Sequence, residues 1–186
     1  MGNNGRKGRM RSLHLLRHAK SDWSDPSLRD FDRPLNKRGR KAAPRIAAEM
    51  REFGLAPELV LCSSAVRARQ TWDLLAGPLY GGDESGPQEV RFSRSLYLAS
   101  PAKLLELIQH VESGFSSLLI IGHNPGMEHL ADQLAGPESD PLLLQTLREK
   151  YPTAALACFE LDIAEWSQVM PGQAKLVRFL TPRSLD

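Results

Sequence analysis

The chain has 186 residues, enough for one domain with a core of ordinary size but cramped for two. It is 41% hydrophobic and 25% charged, the composition of a globule rather than of a disordered or fibrous chain. Its formal net charge of +2 is no electrostatic footprint for nucleic acid. No apolar run approaches the length that spans a bilayer.

The first ten residues are rich in Gly, Asn, Arg and Lys and hold nothing to bury, so a disordered basic tail is expected over 1–10, followed by a single domain over 11–186. Removing the four cations Arg6, Lys7, Arg9 and Arg11 leaves the rest of the chain slightly acidic, so the basic sign belongs to that segment. The Met-Gly start lacks the Ser or Thr of a myristoylation signal, since Arg6 stands there. An apolar signal-peptide stretch is also missing from the start. Cys62 and Cys158 lie in apolar strand-like runs far apart in sequence, which predicts buried reduced thiols and a cytoplasmic protein.

Short apolar runs at 13–16, 59–62, 90–92, 118–121, 154–161 and 176–180 alternate with helical patterns, which predicts an α/β domain. The first helix follows Leu35-Asn36: Ala42, Ala43, Ile46, Ala47, Met50 and Phe53 recur at three- and four-residue steps. Asn36 is its expected N-cap and Gly54 its stop, while Pro44 is expected to bend it or displace its start. Further helices are expected over 66–75, 101–111, 126–134 and 142–150, with a loop over 77–88. In open α/β sheets ligands bind beyond the C-terminal strand ends. Three clusters fall there: Arg17-His18, Ser63-Ser64 with Arg67, and Gly122-His123-Asn124.

Those clusters suit phosphoryl transfer. A histidine fixed through one ring nitrogen can offer the other as nucleophile, and the P–N bond it forms is labile to water. The transferring group is anionic, and guanidinium groups match its oxygens in charge and geometry. Arg17 beside His18, Arg67 at a second strand end and Arg33 in the intervening loop supply such a clamp, with His123 as a further donor. Other chemistries fit the spacing less well. His14 and His18 lie roughly 13 Å apart along a strand, too far to share one metal. The position where a cysteine phosphatase would carry its arginine after Cys62 is Ala68. There is no phosphate-binding glycine loop after the first strand, and Ser63-Ser64 lacks a glycine-framed nucleophile turn. His14, His110 and His129 read as core or helix-face residues, and Arg29, Arg38, Arg40 and Lys41 as solvated charges.

The run Leu15-Leu16-Arg17-His18-Ala19 resembles the arginine-histidine motif of the histidine phosphatase superfamily, which includes the phosphoglycerate mutases. The segment from Ser63 to Thr71, with Arg67, resembles its second arginine motif, and Ile121-Gly122-His123-Asn124-Pro125-Gly126 its second histidine motif. The Asp32-Arg33-Pro34-Leu35 stretch and the short 77–103 region are similar to the SixA-type phosphohistidine phosphatases, since mutases usually carry longer insertions. The resemblance implies a three-layer α/β/α sandwich with a mixed, mostly parallel sheet. It implies His18 as nucleophile, Arg17, Arg67 and His123 around the phosphate, Arg33 and Asn124 as accessory substrate ligands, and no cofactor or metal. Asp22, Asp30 and Asp32 are candidate proton donors, Asp30 first because it lies three residues before Arg33. The expected substrate is a protein phosphohistidine, whose imidazole leaves more readily than an alkoxide. The alternatives are a phosphomonoesterase for a small metabolite and a non-catalytic phospho-ligand binding module. Neither nucleic acid nor membrane is expected as a partner.

Overall fold

The computed structural model of the protein describes residues 10–81 and 86–185. Six strands form one sheet: β1 (Met10–Arg17), β2 (Leu59–Ser63), β3 (Glu89–Ser93), β4 (Ser117–Gly122), β5 (Leu156–Asp162) and β6 (Lys175–Leu180). Their order is β3-β2-β4-β1-β5-β6. Strands β3, β2, β4 and β1 are mutually parallel, and β5 runs antiparallel to both β1 and β6. The sheet is thus mixed and mostly parallel.

Five helices cover it: α1 (Lys37–Glu52), α2 (Val66–Tyr80), α3 (Pro101–Gln109), α4 (Gly126–Leu134) and α5 (Pro141–Glu149). Alternation along the strands divides the core into two apolar layers. Leu13 and Leu15 of β1, Leu59 and Leu61 of β2, and Leu118 and Ile120 of β4 pack with α3, α4 and α5. Leu16, Val60, Cys62, Leu119 and Ile121 pack with α1 and α2 on the other face. The central strands are buried on both faces, which explains their unbroken apolar runs. The expected three-layer sandwich is the observed architecture.

Local signals act as sequence reading predicts in most places. The Asn36 side chain accepts the Gly39 N–H at 2.9 Å and caps α1, and Gly54, with φ of 68°, follows its C-cap Phe53. Pro44 lies within the continuous α1 and does not displace its start. Two boundaries need correction. The expected tail over 1–10 lies outside the described residues except for Met10, which already pairs with Asp162 as the first residue of β1. The loop expected over 77–88 begins too early, because α2 runs on to Tyr80 and ends on Gly81 in the left-handed region. Buried Leu75 and Leu79 hold that last turn against the sheet, and Pro78 does not end it. Residues 82–85 of that loop lie outside the described residues. Among the described residues no helix is long and apolar enough to cross a membrane.

Candidate active site

The parallel strands β1, β2 and β4 end side by side, so the segments following them meet at one edge of the sheet. Arg17 is the last residue of β1 and pairs with Gly122 at the end of β4. The His18 N–H donates to the Gly122 carbonyl at 3.0 Å, which carries the histidine just past the strand. On the other side, the Ala154 N–H donates to the carbonyls of Arg17 and His18, each at 3.1 Å. The backbone around His18 is therefore fixed from both flanks.

His18 is 7% exposed. Its Nδ1 lies 2.7 Å from the Ala19 carbonyl, which can only accept, so Nδ1 carries the proton. Nε2 is left as the lone-pair atom, and it accepts the Arg67 Nε–H at 3.2 Å. Burial, aided by the charges of Arg67 and Arg17 and opposed by the Ala19 carbonyl and Asp30, pushes the His18 pKa down to about 3. The ring is consequently neutral at physiological pH, as a nucleophile must be. The Ala19 peptide is itself held, since its N–H donates to the Thr71 hydroxyl at 3.0 Å.

Arg67 enters from the first turn of α2 and is 4% exposed. Beyond His18 it reaches His123 Nδ1 through Nη2 at 3.2 Å and the Asp30 carboxylate at 2.8 Å, and it also donates to the Asp30 carbonyl. Because His123 Nδ1 accepts from the guanidinium, its proton sits on Nε2, which donates to Ser63 Oγ at 2.8 Å. Burial, with the charges of His18, Arg67 and Arg17 and against that of Asp30, lowers the His123 pKa to about 2. The two imidazole rings lie 4.9 Å apart, tilted by 51°.

Asp30 joins this group from a short 3-10 turn (Asp30–Asp32). Its Oδ2 accepts from Arg67 and from the Tyr97 hydroxyl, the latter at 2.7 Å. Burial alone would raise its pKa, but the bonds from Tyr97 and Arg67 and the charges of Arg67 and Arg33 outweigh that, leaving it below the usual carboxylate range. Asp22 and Asp32 stand apart. Asp22 is engaged with the Ser24 N–H, and Asp32 pairs with Arg29.

A pocket of about 410 Å³ opens over these groups, lined by Arg17, His18, Asp30, Arg67, His123 and Asn124 among others. Six of the seven residues singled out by sequence therefore share one cavity wall. The seventh, Arg33, sits behind it: its guanidinium lies 3.8 Å from the Asp30 carboxylate and 4.1 Å from the ring centre of Trp23. Arg17 donates to the Tyr151 carbonyl at 2.8 Å, and its buried Nε has no protein partner. Asn124 spends its amide donors on Glu128 (2.8 Å) and on the same Tyr151 carbonyl (3.1 Å). Its remaining buried oxygen is an acceptor, which does not suit an anion.

Sequence reasoning missed Tyr97, Thr71 and Tyr151, which hold Asp30, Ala19 and Arg17 respectively. Thr71 follows Arg67 by four residues on α2, a spacing that places both on one helix face and was available as a signal. Tyr97 and Tyr151 lie in segments without periodicity. Among the described residues no three His, Cys, Asp or Glu side chains converge to hold a metal ion. Cys62 and Cys158 are free and buried, and burial raises the pKa of both thiols.

Comparison with known proteins finds similarity over most of the chain. Residues 13–82 match the family model described as histidine phosphatase superfamily (branch 1). An uncharacterised protein of Mycobacterium tuberculosis (strain H37Rv) is 37% identical over 169 residues, spanning 90% of this chain and 100% of that protein. The crystal structure of a protein assigned as the phosphohistidine phosphatase SixA of Agrobacterium tumefaciens superposes with a TM-score of 0.75 at 31% identity. That similarity covers 92% of this chain and 98% of the other. A second structure assigned as SixA, from Nakamurella multipartitia, gives a TM-score of 0.77 at 26% identity and covers 95% of this chain and 98% of that one.

Proposed function

The chain belongs to the histidine phosphatase superfamily, and on that premise we propose that it hydrolyses a phosphoryl group through a covalent intermediate on His18, with protein phosphohistidine as substrate. The observation that carries this reading is the fixed tautomer of His18. Its Nδ1–H is committed to the Ala19 carbonyl, and its Nε2 lone pair lies beside Arg67.

In the first step Nε2 attacks phosphorus and the bond from phosphorus to the leaving nitrogen breaks. The departing imidazole takes a proton, and His18 becomes cationic and phosphorylated. Arg67 and Arg17 stabilise the equatorial oxygens, where charge is greatest in the transition state. His123 joins them as a donor only in its Nδ1–H form, which becomes open to it once phosphoryl oxygens draw the Arg67 guanidinium away from Nδ1. Water then attacks phosphorus while the Asp30 carboxylate left by the first step takes its proton, the P–Nε2 bond breaks, and inorganic phosphate leaves with His18 restored. Asp30 is assigned as the proton donor. It is held as a carboxylate by Arg67 and Tyr97, and phosphoryl oxygens competing for Arg67 release it to take up a proton. An imidazole leaving group needs that proton less than an alkoxide does, so a carboxylate of low pKa favours phosphohistidine over alkyl phosphate.

The test is hydrolysis of p-nitrophenyl phosphate in EDTA by wild type and His18→Ala, followed by a phosphohistidine protein against small alkyl phosphates. Loss of activity in the variant and persistence in EDTA are expected. Activity surviving the substitution removes the nucleophile, and activity lost to EDTA removes metal independence. Equal or faster turnover of alkyl phosphates removes the phosphohistidine preference in favour of a small-metabolite phosphomonoesterase.

A further inference from the structure

Beside the His18 pocket lies a second cavity of about 660 Å³, and Arg17, Lys20 and Thr153 line both, so the two are adjacent. The second cavity is built from the start of α1, the end of α5, the 152–153 segment and the short C-terminal turn Pro182–Leu185. It is strongly basic. Arg17, Lys20, Arg38, Lys150 and Arg183 line it, against the single acid Glu149.

The charges there are unspent. Elsewhere on the surface Arg29, Arg91, Lys103 and Arg148 pair with carboxylates. Lys37, Arg40, Lys41, Arg51 and Lys175 are without an ion pair among the described residues but line neither cavity, so the groove is set apart by the clustering of its cations. Among the described residues, no carboxylate pairs with Lys20, Arg38, Lys150 or Arg183, although each is exposed. Glu149, the one acid, is bonded by Gln145 at 3.1 Å. Unneutralised like charges repel one another, so their concentration along one groove costs folding energy that a partner of opposite sign returns on binding.

The form of the groove says which kind of anion. A small phosphate is held by donors converging on one point, as the buried Arg67 and the half-buried Arg17 do beside His18. Apart from Arg17, the cations of the second cavity sit on four separate segments, exposed, and Ala42, Pro152 and Pro182 line the cavity with them. That is a basic rim on a partly apolar surface, suited to a protein with acidic side chains around its reactive residue.

We propose that this groove docks an acidic surface flanking the phosphohistidine of a substrate protein, and that it selects among phosphohistidine proteins by charge. The inference rests on the phosphatase reading above and adds the chemistry of the partner.

The test uses the full chain and two synthetic peptides, each carrying one phosphohistidine, flanked in one by four glutamates and in the other by four glutamines. Wild type should show a kcat/KM on the order of tenfold higher for the glutamate peptide at low ionic strength, the lower end of electrostatic steering. The preference should collapse in 0.5 M salt, where the screening length falls to about 4 Å. It should also vanish in the double variant Lys150→Glu/Arg183→Glu and shrink in Lys150→Gln/Arg183→Gln. Hydrolysis of p-nitrophenyl phosphate should be unchanged in both variants, which also reports that they fold. Equal kcat/KM for the two peptides in wild type, or a preference that survives the charge reversal, overturns the proposal. Competition by a small bisphosphate in wild type but not in the reversed variant also overturns it, in favour of a small-anion subsite. Should neither peptide nor aryl phosphate turn over, the phosphatase reading has failed, and the groove is judged by anisotropy of the labelled, unphosphorylated glutamate peptide. Binding lost in the reversed variant upholds the docking role, and equal or absent binding in both forms overturns it.

Discussion

The hydroxyl of Thr71 accepts the Ala19 N–H at 3.0 Å, and the carbonyl of that same Ala19 holds Nδ1 of His18 at 2.7 Å. The Thr71 hydroxyl in turn donates to the Arg67 carbonyl at 2.7 Å. One buried side chain thus ties the backbone that fixes the imidazole to the helical turn that carries Arg67.

Thr71→Val keeps the shape and removes the hydroxyl, leaving the Ala19 N–H unsatisfied in the core. Unfolding free energy should fall by about 1–3 kcal/mol, and kcat for p-nitrophenyl phosphate by roughly tenfold, as expected for a misplaced reacting group. Denaturant titration and steady-state kinetics measure the two effects. Thr71→Ser, which keeps the hydroxyl, should restore most of the rate.

Arg67→Lys should be far from conservative. The guanidinium reaches His18, His123 and Asp30 at once, and an ammonium on a single stem cannot span all three. A loss of about 10²–10³ in kcat/KM is expected, comparable to removing one transition-state donor. Retention of more than a third of wild-type kcat/KM would remove Arg67 from its assigned role.

Asp30→Asn should separate leaving groups. It removes the assigned proton donor, so turnover of alkyl phosphates should fall by about 10²-fold or more. Turnover of phosphohistidine, whose leaving group is better, should fall less than tenfold on the same argument. Equal losses on the two substrates would assign Asp30 to positioning Arg67 rather than to proton transfer.

His14 predicts acid lability away from the active site. It is 2% exposed in β1, its Nδ1 has no protein partner, and burial lowers its pKa from 6.5 to about 4. A depressed folded-state pKa means that the unfolded chain takes up the proton first. The contribution to stability is therefore complete above pH 6.5 and is lost as pH falls from 6.5 towards 4. By pH 5 the loss at this residue is roughly 2 kcal/mol. His14→Leu should remove that loss, so the variant gains about that much on wild type between pH 7.5 and pH 5 in urea denaturation. The buried His18 and His123, also depressed, will keep some acid sensitivity in both proteins.

Gly39→Ala should destabilise the approach of α1 to the site. A Cβ at Gly39 would lie 2.3 Å from the Lys20 carbonyl oxygen, a backbone atom that cannot step aside. A loss on the order of 1–3 kcal/mol is expected for such overpacking. A lower thermal midpoint with no change in KM at 25 °C would place the effect in stability alone.

Much of this was legible without coordinates. Apolar runs 59–62 and 118–121 announced strands buried on both faces, and Asn36 announced the start of α1, because period and capping are local properties. The motifs around His18, Arg67 and His123 marked residues that line one pocket, since each sits where a strand gives way to the segment after it. Only the tertiary structure decided how those groups are wired. The tautomer of His18 depends on the carbonyl of Ala19, whose position depends on Thr71, fifty-two residues further along. The lowering of the Asp30 pKa draws in part on the hydroxyl of Tyr97, sixty-seven residues away. The basic groove exists only because α1, α5 and the C-terminal turn meet, and each of its cations taken alone reads as an ordinary solvated charge. Hydrogen-bond partners and electrostatic fields are set by distance in space, and the sheet order that brings β1, β2 and β4 together is what turns distant residues into neighbours.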